Sequence, residues 1–332
     1  MAQMKYFYEL TISSSPHAHS PVTTQTIMRD VLIALIPAML GSIYFFGFRA
    51  LLVTLVSAAA CVFFEWGFCK IRKLHCKTYD LSAVVTGVLL AFVCPVTIPY
   101  WTIILGDFFA IVLVKMLFGG LGKNIVNPAL AGRAFLFSWP VLMSNWVKVG
   151  FDNAAGLLST ADAVTAATPM SAMHQGALPE ESILDMFLGN IGGCIGETSA
   201  LLLIIGFLYL LYRKVITARI PLAYIGTVAI LAFLFPQGND RIAWMAAQVF
   251  GGGLILGAIF MATDYVTSPL TKLGQIVYGI GCGIITILIR YFGGYSEGVT
   301  YAILCMNACA VLLDKVGRPV KFGAPKKEAA KK

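Results

Sequence analysis

Ten long apolar runs restrict the fold of this chain more than any other feature of its sequence. Each run is close to the roughly 20 residues that an α-helix needs to cross about 30 Å of hydrocarbon. Charged residues make up only 12% of the chain, about half the share of roughly 25% that is usual in a soluble domain. The runs are 27–46, 49–69, 80–96, 100–118, 125–144, 195–213, 219–235, 241–262, 272–291 and 298–314. The sequence therefore predicts an all-α membrane protein with about ten transmembrane helices and membrane lipid around its outer surface.

Five of these runs lie on each side of a long polar segment, 145–194. An odd number of spans makes the two halves cross the membrane in opposite senses, which is the inverted repeat of many transporters. The similar sequences of 87–97 and 253–263 favour such a repeat. The third, fifth and tenth runs are short or contain proline, glycine and polar residues, which is typical of broken or re-entrant helices. We therefore expect an inverted repeat of two five-helix halves that contain broken helices.

These boundaries divide the chain into five parts. We expect an N-terminal segment over 1–26, a first five-helix half over 27–144, a loop over 145–194, a second half over 195–314 and a basic tail over 315–332. The loop is long for a connection inside a compact fold, and connections of this length are usually functional.

Basic residues are concentrated in alternate segments. If the N-terminus is cytoplasmic, twenty lysines and arginines fall on the cytoplasmic side, and four fall outside: Arg49, Lys148, Arg241 and Arg290. Cytoplasmic segments of membrane proteins carry this kind of excess. The distribution predicts cytoplasmic N- and C-termini and an external 145–194 loop. It also explains the net charge of +8 without a nucleic-acid partner.

The 145–194 loop contains the sequence Asp162-Ala163-Val164-Thr165-Ala166-Ala167-Thr168-Pro169. The alanines before Thr168 leave room around its hydroxyl, and Pro169 favours an extended chain at the residue before it. Such a turn suits a hydroxyl that a second enzyme must reach. We therefore expect Thr168 to be exposed on the external side.

The pattern Asp-x-x-Thr-x-Ala-Thr resembles the flavinylation motif of the Rnf complexes and of the Na⁺-translocating NADH:quinone oxidoreductases. The resemblance implies an FMN whose phosphate is esterified to Thr168 by a dedicated flavin transferase, with FAD as the donor. Asp162 and Thr165 would be recognition positions, and Ala167 and Pro169 complete the motif. This chain has Thr-Ala where Ser-Gly is common in the family.

Three further segments are similar to the same family, namely 15–38, 119–133 and 261–269. The short N-terminus is more similar to the D subunit of the Rnf complexes than to the B subunit of the quinone reductases. The resemblance implies a membrane flavoprotein that belongs to an ion-translocating ferredoxin:NAD⁺ oxidoreductase in the plasma membrane of a bacterium or archaeon. Its partners would be the Rnf subunits A, B, C, E and G, and the complex would move Na⁺ or H⁺.

The resemblance also implies a second, non-covalent flavin near the cytoplasmic face, either riboflavin or FMN. Segments 119–133 and 263–269 both fall on that side. The first is a glycine-rich turn before a helix, and such a turn offers backbone N–H groups to an anion or a ring edge. The candidate ligands are Asn127, Arg133 and Asp264. The alternative is that these glycines and prolines only pack short re-entrant helices.

Three acidic residues fall inside apolar runs: Glu65, Asp107 and Glu197. Charges at that depth are costly and often mark an ion path, so these three are candidate ion-path residues. Hydrogen bonding between helices is the alternative for each. The four histidines and eight cysteines show no metal-ligand spacing, so we expect no metal site.

Two other functions are compatible with parts of the sequence. An inverted-repeat small-solute transporter or channel would account for the apolar runs, but it has no need of a flavin on Thr168. The B subunit of a Na⁺-translocating NADH:quinone oxidoreductase would share the motif and differ in electron acceptor and partners. No dinucleotide fingerprint is present, so NAD⁺ would bind to another protein of the complex.

Overall fold

The computed structural model describes residues 22–73, 78–143, 145–147, 168–179, 181–238 and 240–316, and all the elements in these ranges are helices. The first half contains α1 Thr24–Phe46, α2 Phe48–Arg72, a 3-10 turn Thr78–Asp80, α3 Ser82–Phe92, α4 Tyr100–Phe108 with a π-helical continuation Phe109–Met116, α5 Pro128–Leu136 and α6 Pro140–Met143. Two short helices follow, α7 Pro169–His174 and α8 Ile183–Leu188. The second half contains α9 Ala200–Tyr212, α10 Arg219–Leu234, α11 Arg241–Phe250, α12 Leu254–Leu256 with a π-helical continuation Gly257–Met261, α13 Lys272–Phe292 and α14 Val299–Val316.

Within the described ranges, α1, α2 and α13 are long and apolar enough to cross a membrane. The helix α11 and the segment Leu254–Met261 form a fourth candidate span that bends by 58°. The helices α3, α9 and α10 are apolar but shorter. The all-α membrane class and the broken helices are confirmed. The count of ten spans, the inverted repeat and the five-part division stay predictions.

Helices that are joined by a short turn, such as α1 with α2 and α13 with α14, run in opposite directions, so the bundle has two distinct end faces. The helices α10 and α13, which are not consecutive, run parallel. The turns at Gly47 and at 293–298 lie on one side, which we call the Thr168 face. The ends of α2 and α14 lie on the other side, which we call the Lys315 face. Which face is cytoplasmic stays a prediction from the charge distribution.

A polar contact near the Lys315 face joins the two halves. Asp30, a buried residue of α1, accepts hydrogen bonds from Arg213 at 3.1 Å and from the Tyr209 hydroxyl at 3.3 Å. The helix α1 itself begins at a capping box formed by Thr23 and Thr26, which satisfies backbone donors at its first turn. The half-exposed Arg213 and the buried Asp30 therefore join α9 to α1.

Two segments that interrupt the helices meet in the buried core. The N–H of Ile195 donates to the carbonyl of Cys94 at 3.0 Å, and the N–H of Gly196 donates to the carbonyl of Phe92 at 2.9 Å. A Cβ added to Gly196 would overlap the Phe92 ring, so this approach requires glycine. Non-helical backbone is tolerated at membrane depth only where other protein groups satisfy it, as they do here.

Candidate functional site

Thr168 is the N-cap residue of α7, and its extended conformation (φ −78°, ψ 150°) leads directly into Pro169. Its side chain makes no capping hydrogen bond, although threonine at this position often makes one. Only 7% of the residue is exposed, so the expected exposure of Thr168 is wrong in this structure. The reason is tertiary packing, because α7 packs Met170 against Gly251 and Gly252 and also buries Met173.

The other motif positions are only partly described. Pro169 is the first residue of α7 and is buried. Asp162, Thr165 and Ala167 lie outside the described residues. Their role in the motif therefore stays a prediction.

Thr168 lines a small pocket of about 280 Å³, which we call the Thr168 pocket. The glycine backbone of 192–193 and Gly252 form part of its wall, and the side chains of Glu197 and Glu297 form another part. Glycine backbone therefore lies on one side of Thr168 and two carboxylates lie on the other.

A buried arginine holds the two glutamates beside this pocket. Arg133 on α5 donates to Glu197 at 3.3 Å, to the Thr300 hydroxyl at 3.1 Å and, by a short contact, to Glu297. Its Nη2 also lies 3.5 Å from the Cys194 sulfur. Its Nε has no hydrogen-bond partner among the described residues.

The position of Arg133 corrects one prediction from the sequence. Arg133 is expected beside Asn127 and Asp264 as a ligand of a second flavin, and the structure does not bring it there. Its side chain points instead to the carboxylates of the second half, because a buried guanidinium is stable only beside compensating charge.

A second buried arginine, Arg290, lies on the other side of the same pocket wall. It donates to the Gln248 carbonyl at 2.5 Å, to the Gln248 side chain at 2.8 Å and to the Gly251 carbonyl at 3.3 Å. Two arginines and two glutamates therefore balance each other around the Thr168 pocket. Buried charges are tolerated only with such compensation.

Among the described residues, one group has metal-ligand spacing: Cys194, Glu197 and Glu297, whose ligand atoms lie within 4.8 Å of one another. Arg133 contacts all three. The guanidinium therefore already serves as the cation that these groups share, and the arrangement is an ion-pair cluster.

A larger cavity of about 760 Å³ opens toward the Lys315 face, and we call it the large cavity. Its lining is mostly apolar with a few polar groups, which is the usual composition of a ligand site. Its apolar lining is Ile27, Met28, Val31, Val85, Leu89, Leu121, Pro128, Ala129, Leu210, Val215, Ile216, Ile259 and Phe260, and its polar or aromatic hydroxyl lining is Ser82, Thr86, Lys115, Asn124, Asn127, Thr263, Asp264 and Tyr265.

Asn127 and Asp264, predicted from separate segments, come together at this cavity. The Asn127 side chain caps α5 by accepting from the N–H groups of Ala129 and Leu130, and it donates to the Met261 carbonyl at 3.2 Å. Asp264 accepts from the Thr267 hydroxyl at 3.1 Å, and burial raises the pKa of its carboxyl. Asn124 Oδ1 is buried without a hydrogen-bond partner among the described residues.

The acidic residue Glu65 belongs to α2, and Asp107 belongs to α4 and packs against α2 through Ser57. Lys115 donates to both oxygens of Glu65 at 3.1 and 3.2 Å and to the Ser82 hydroxyl at 2.7 Å. Asp107 accepts from Ser57 at 2.7 Å, while its Oδ2 has no partner within the part of the chain that the structure describes.

Glu65 also lines an open cleft of about 1,490 Å³, and Lys115 lines the large cavity. This ion pair therefore separates the two spaces. Lys115, expected in a cytoplasmic segment, is buried instead. Glu197, the third candidate, belongs to the Arg133 cluster.

Comparison with known proteins identifies the relatives of this chain. A family described as NQR2, RnfD, RnfE matches residues 11–323. The chain belongs to this family. It is 46% identical over 323 residues to the D subunit of the Na(+)-translocating ferredoxin:NAD(+) oxidoreductase complex of Acetobacterium woodii, with 96% of each chain covered.

Two more relatives cover almost as much. The D subunit of the proton-translocating ferredoxin:NAD(+) oxidoreductase complex of Clostridium ljungdahlii is 44% identical over 330 residues, or 94% of this chain and 96% of the relative. The D subunit of the ion-translocating oxidoreductase complex of Actinobacillus succinogenes is 34% identical over 341 residues, or 93% of this chain and 96% of the relative. Membership of the NQR2, RnfD, RnfE family confirms the predicted resemblance.

Three residues of the site are not predicted from the sequence: Arg290, Glu297 and Thr300. The sequence could have identified Arg290, because a charged residue at the end of an apolar run is a candidate functional residue on the same grounds as Glu197. Glu297 lies in a short connection, where an acidic residue is ordinary. Only the fold brings it to Arg133.

Proposed function

We propose that this chain is the D subunit of an ion-translocating ferredoxin:NAD⁺ oxidoreductase complex of the Rnf type. Similarity over almost the full length of two relatives described with that activity carries this proposal. One relative is described as Na⁺-translocating and the other as proton-translocating, so the choice of ion is no part of the proposal. Rnf subunits A, B, C, E and G would be its partners in the plasma membrane, with the Thr168 face external.

We further propose that Thr168 carries FMN. The Thr168 hydroxyl would lose its proton and attack the flavin-side phosphorus of FAD, forming the phosphoester and releasing AMP. The motif supports this assignment. The Thr168 pocket has glycine backbone in one wall and the Glu197 and Glu297 carboxylates in another, and Arg133 and Arg290 lie behind these walls. Because Thr168 is buried, attachment by a flavin transferase would precede the docking of α7.

The large cavity is our proposed site for the second flavin, riboflavin or FMN. Its apolar walls suit the ring faces of an isoalloxazine, and Asn127, Asp264 and Lys115 supply polar groups for the ring edge or the ribityl chain. When bound, a flavin supplies the electron-carrier chemistry. The residues of the chain would bind it, orient it and exclude water.

The helix α5 connects the two proposed sites. Asn127 caps its first turn at the large cavity, and Arg133 lies six residues further on, roughly 9 Å along the axis at 1.5 Å per residue. Both sites therefore take polar groups from one short rigid element. Positions that must be held closely are better built on helices than on loops.

Glu65 and Asp107 are the candidates that we retain for an ion path. The unpartnered Oδ2 of buried Asp107 and the position of Glu65 at the open cleft support them. In vesicles that contain the whole complex, Asp107→Asn should lower ferredoxin-driven ion uptake and leave both flavins bound. Ser57→Ala, which removes a donor to Asp107 but no charge, is the control. Uptake equal to that of the parent in Asp107→Asn would remove Asp107 from the path.

The decisive experiment for the covalent site is a denaturing gel viewed under ultraviolet light, after co-expression with an active flavin transferase. We expect a fluorescent band in the parent protein, none in Thr168→Val, and a normal band in Thr198→Val, because Thr198 lines the same pocket. A band that survives in Thr168→Val would refute the acceptor. No band in any variant would favour the transporter alternative.

A further inference from the structure

A cluster of three aromatic rings lies beside the Thr168 pocket. The ring centroids of Tyr295 and Tyr301 are 5.1 Å apart, those of Phe137 and Tyr295 are 5.7 Å apart, and those of Phe137 and Tyr301 are 6.3 Å apart. The rings come from the end of α5, from the 293–298 turn and from the first turn of α14. Three separate elements thus bring their rings to one place on the Thr168 face.

These rings line a pocket of about 290 Å³, which we call the aromatic pocket. Glu297 lines both the aromatic pocket and the Thr168 pocket. Thr300, also in the aromatic pocket, accepts from Arg133, and the Arg133 guanidinium lies 5.4 Å from the centroid of the Phe137 ring. The two pockets are therefore neighbours that share one carboxylate and one arginine.

The aromatic pocket differs from a belt of aromatic residues that faces lipid headgroups. Its walls include a charged carboxylate, and its rings contact one another around a recess. Tyr295 nevertheless remains 46% exposed. Aromatic surface left open beside polar groups is the pattern of a site for a planar ring with hydrogen-bonding edges.

We propose that Phe137, Tyr295 and Tyr301 form the platform on which the isoalloxazine ring of the Thr168-linked flavin docks. This inference rests on the proposed attachment at Thr168. The linkage limits the reach of the ring to the length of the ribityl chain, and the aromatic pocket is adjacent to the Thr168 pocket. Glu297 and Thr300, between the rings and Arg133, offer acceptors to ribityl hydroxyls.

Docking on tyrosine has a spectroscopic signature. A tyrosine ring in contact with an excited isoalloxazine gives it an electron that then returns, and the flavin emission is quenched. Removing one ring should lower the ratio of docked to undocked flavin roughly fivefold, which corresponds to the usual ~1 kcal/mol of one aromatic contact.

The test measures flavin emission of the folded complex in detergent. The Thr168→Val complex gives the contribution of any non-covalent flavin, and this emission is subtracted. Tyr295→Leu and Tyr301→Leu should each raise the remaining emission several-fold. Tyr291→Leu is the matched control, because Tyr291 contacts Trp244 and does not line the aromatic pocket.

The denaturing gel separates the two proposals. If the Tyr295→Leu gel band equals that of the parent and the native emission is also unchanged, the docking platform is wrong and the attachment at Thr168 stands. If the parent has no gel band, the attachment itself is wrong. If the band is retained and emission rises in Tyr295→Leu and Tyr301→Leu but not in Tyr291→Leu, the platform is supported.

Discussion

The Thr168 pocket and the large cavity differ in both size and chemistry. The first measures about 280 Å³ and is lined by glycine backbone and the Glu197 and Glu297 carboxylates, with Arg133 behind the carboxylates, whereas the second measures about 760 Å³ and is mostly apolar. Apolar burial contributes roughly 25 cal/mol per Å² of surface. Burial in the large cavity can therefore stabilise a flavin ring that is not covalently attached. The small charged pocket offers little such burial. On the proposed function, the flavin on Thr168 is held by its covalent bond and by the neighbouring aromatic pocket, whereas the second flavin is held mainly by apolar burial.

The largest expected effect tests the charged residues around the Thr168 pocket. Arg133→Met leaves Glu197 and Glu297 without their shared cation, and breaking a buried ion pair costs about 3–5 kcal/mol. Arg213→Met is the control, since Arg213 is 46% exposed and Asp30 keeps the Tyr209 hydroxyl, so its cost should be about 1 kcal/mol or less. Thermal unfolding in detergent measures both. Equal midpoints for the two variants would show that the Arg133 cluster is not structurally important.

A change of intermediate size tests the large cavity. Asn127→Ala removes the α5 cap, worth about 1 kcal/mol, together with the hydrogen bond to Met261. We expect less flavin in the supernatant after acid precipitation, with the Thr168 gel band unchanged. Asn127→Asp is the control for capping, because it keeps the accepting oxygen and adds a charge that a helix N-terminus favours. Full retention of extractable flavin in Asn127→Ala would remove Asn127 from the second site.

The smallest expected effect concerns pH. Burial raises the pKa of Asp264, so the folded state binds its proton more tightly than the unfolded state does. Its contribution to stability is therefore greatest at low pH and is lost as pH rises through the usual aspartate range toward the raised value. Asp264→Asn should flatten this part of a plot of unfolding midpoint against pH.

Asp185, near the Thr168 face, should show the opposite dependence of stability on pH. A hydrogen bond from the Ser182 hydroxyl lowers its pKa, so its contribution is lost as pH falls. Asp185→Asn should therefore reduce the loss of stability that occurs as the pH is lowered. If Asp264→Asn leaves the pH dependence of the parent intact, Asp264 is not the titrating group.

Local features make several parts of the molecule predictable. The run 272–291 corresponds to α13 almost residue for residue, because a long uninterrupted apolar stretch has one stable form in lipid. The glycine-rich 119–133 segment and 263–269 are expected together, and Asn127 and Asp264 do line one cavity. The run 125–144 is predicted as one span but is divided into α5 and α6, and Pro140, the first residue of α6, disfavours helical backbone at the residue before it.

The Thr168 site is less predictable, because its partners are distant in sequence. Arg133 lies 64 residues from Glu197 and 164 residues from Glu297, and no local pattern joins positions so far apart. The predicted exposure of Thr168 is wrong for a related reason, since an alanine-rich polar loop gives no sign that α7 will pack into the core.

The sequence by itself determined the membrane class, the helical content, the family and the threonine that we propose as flavin acceptor, because hydropathy and short motifs are properties of neighbouring residues. The tertiary structure decided which charges meet, which arginine faces which site, and that one short helix, α5, contributes to both. Those outcomes depend on how interrupted helices pack so that buried charges and open backbone groups find partners, and this requirement acts on the whole chain at once.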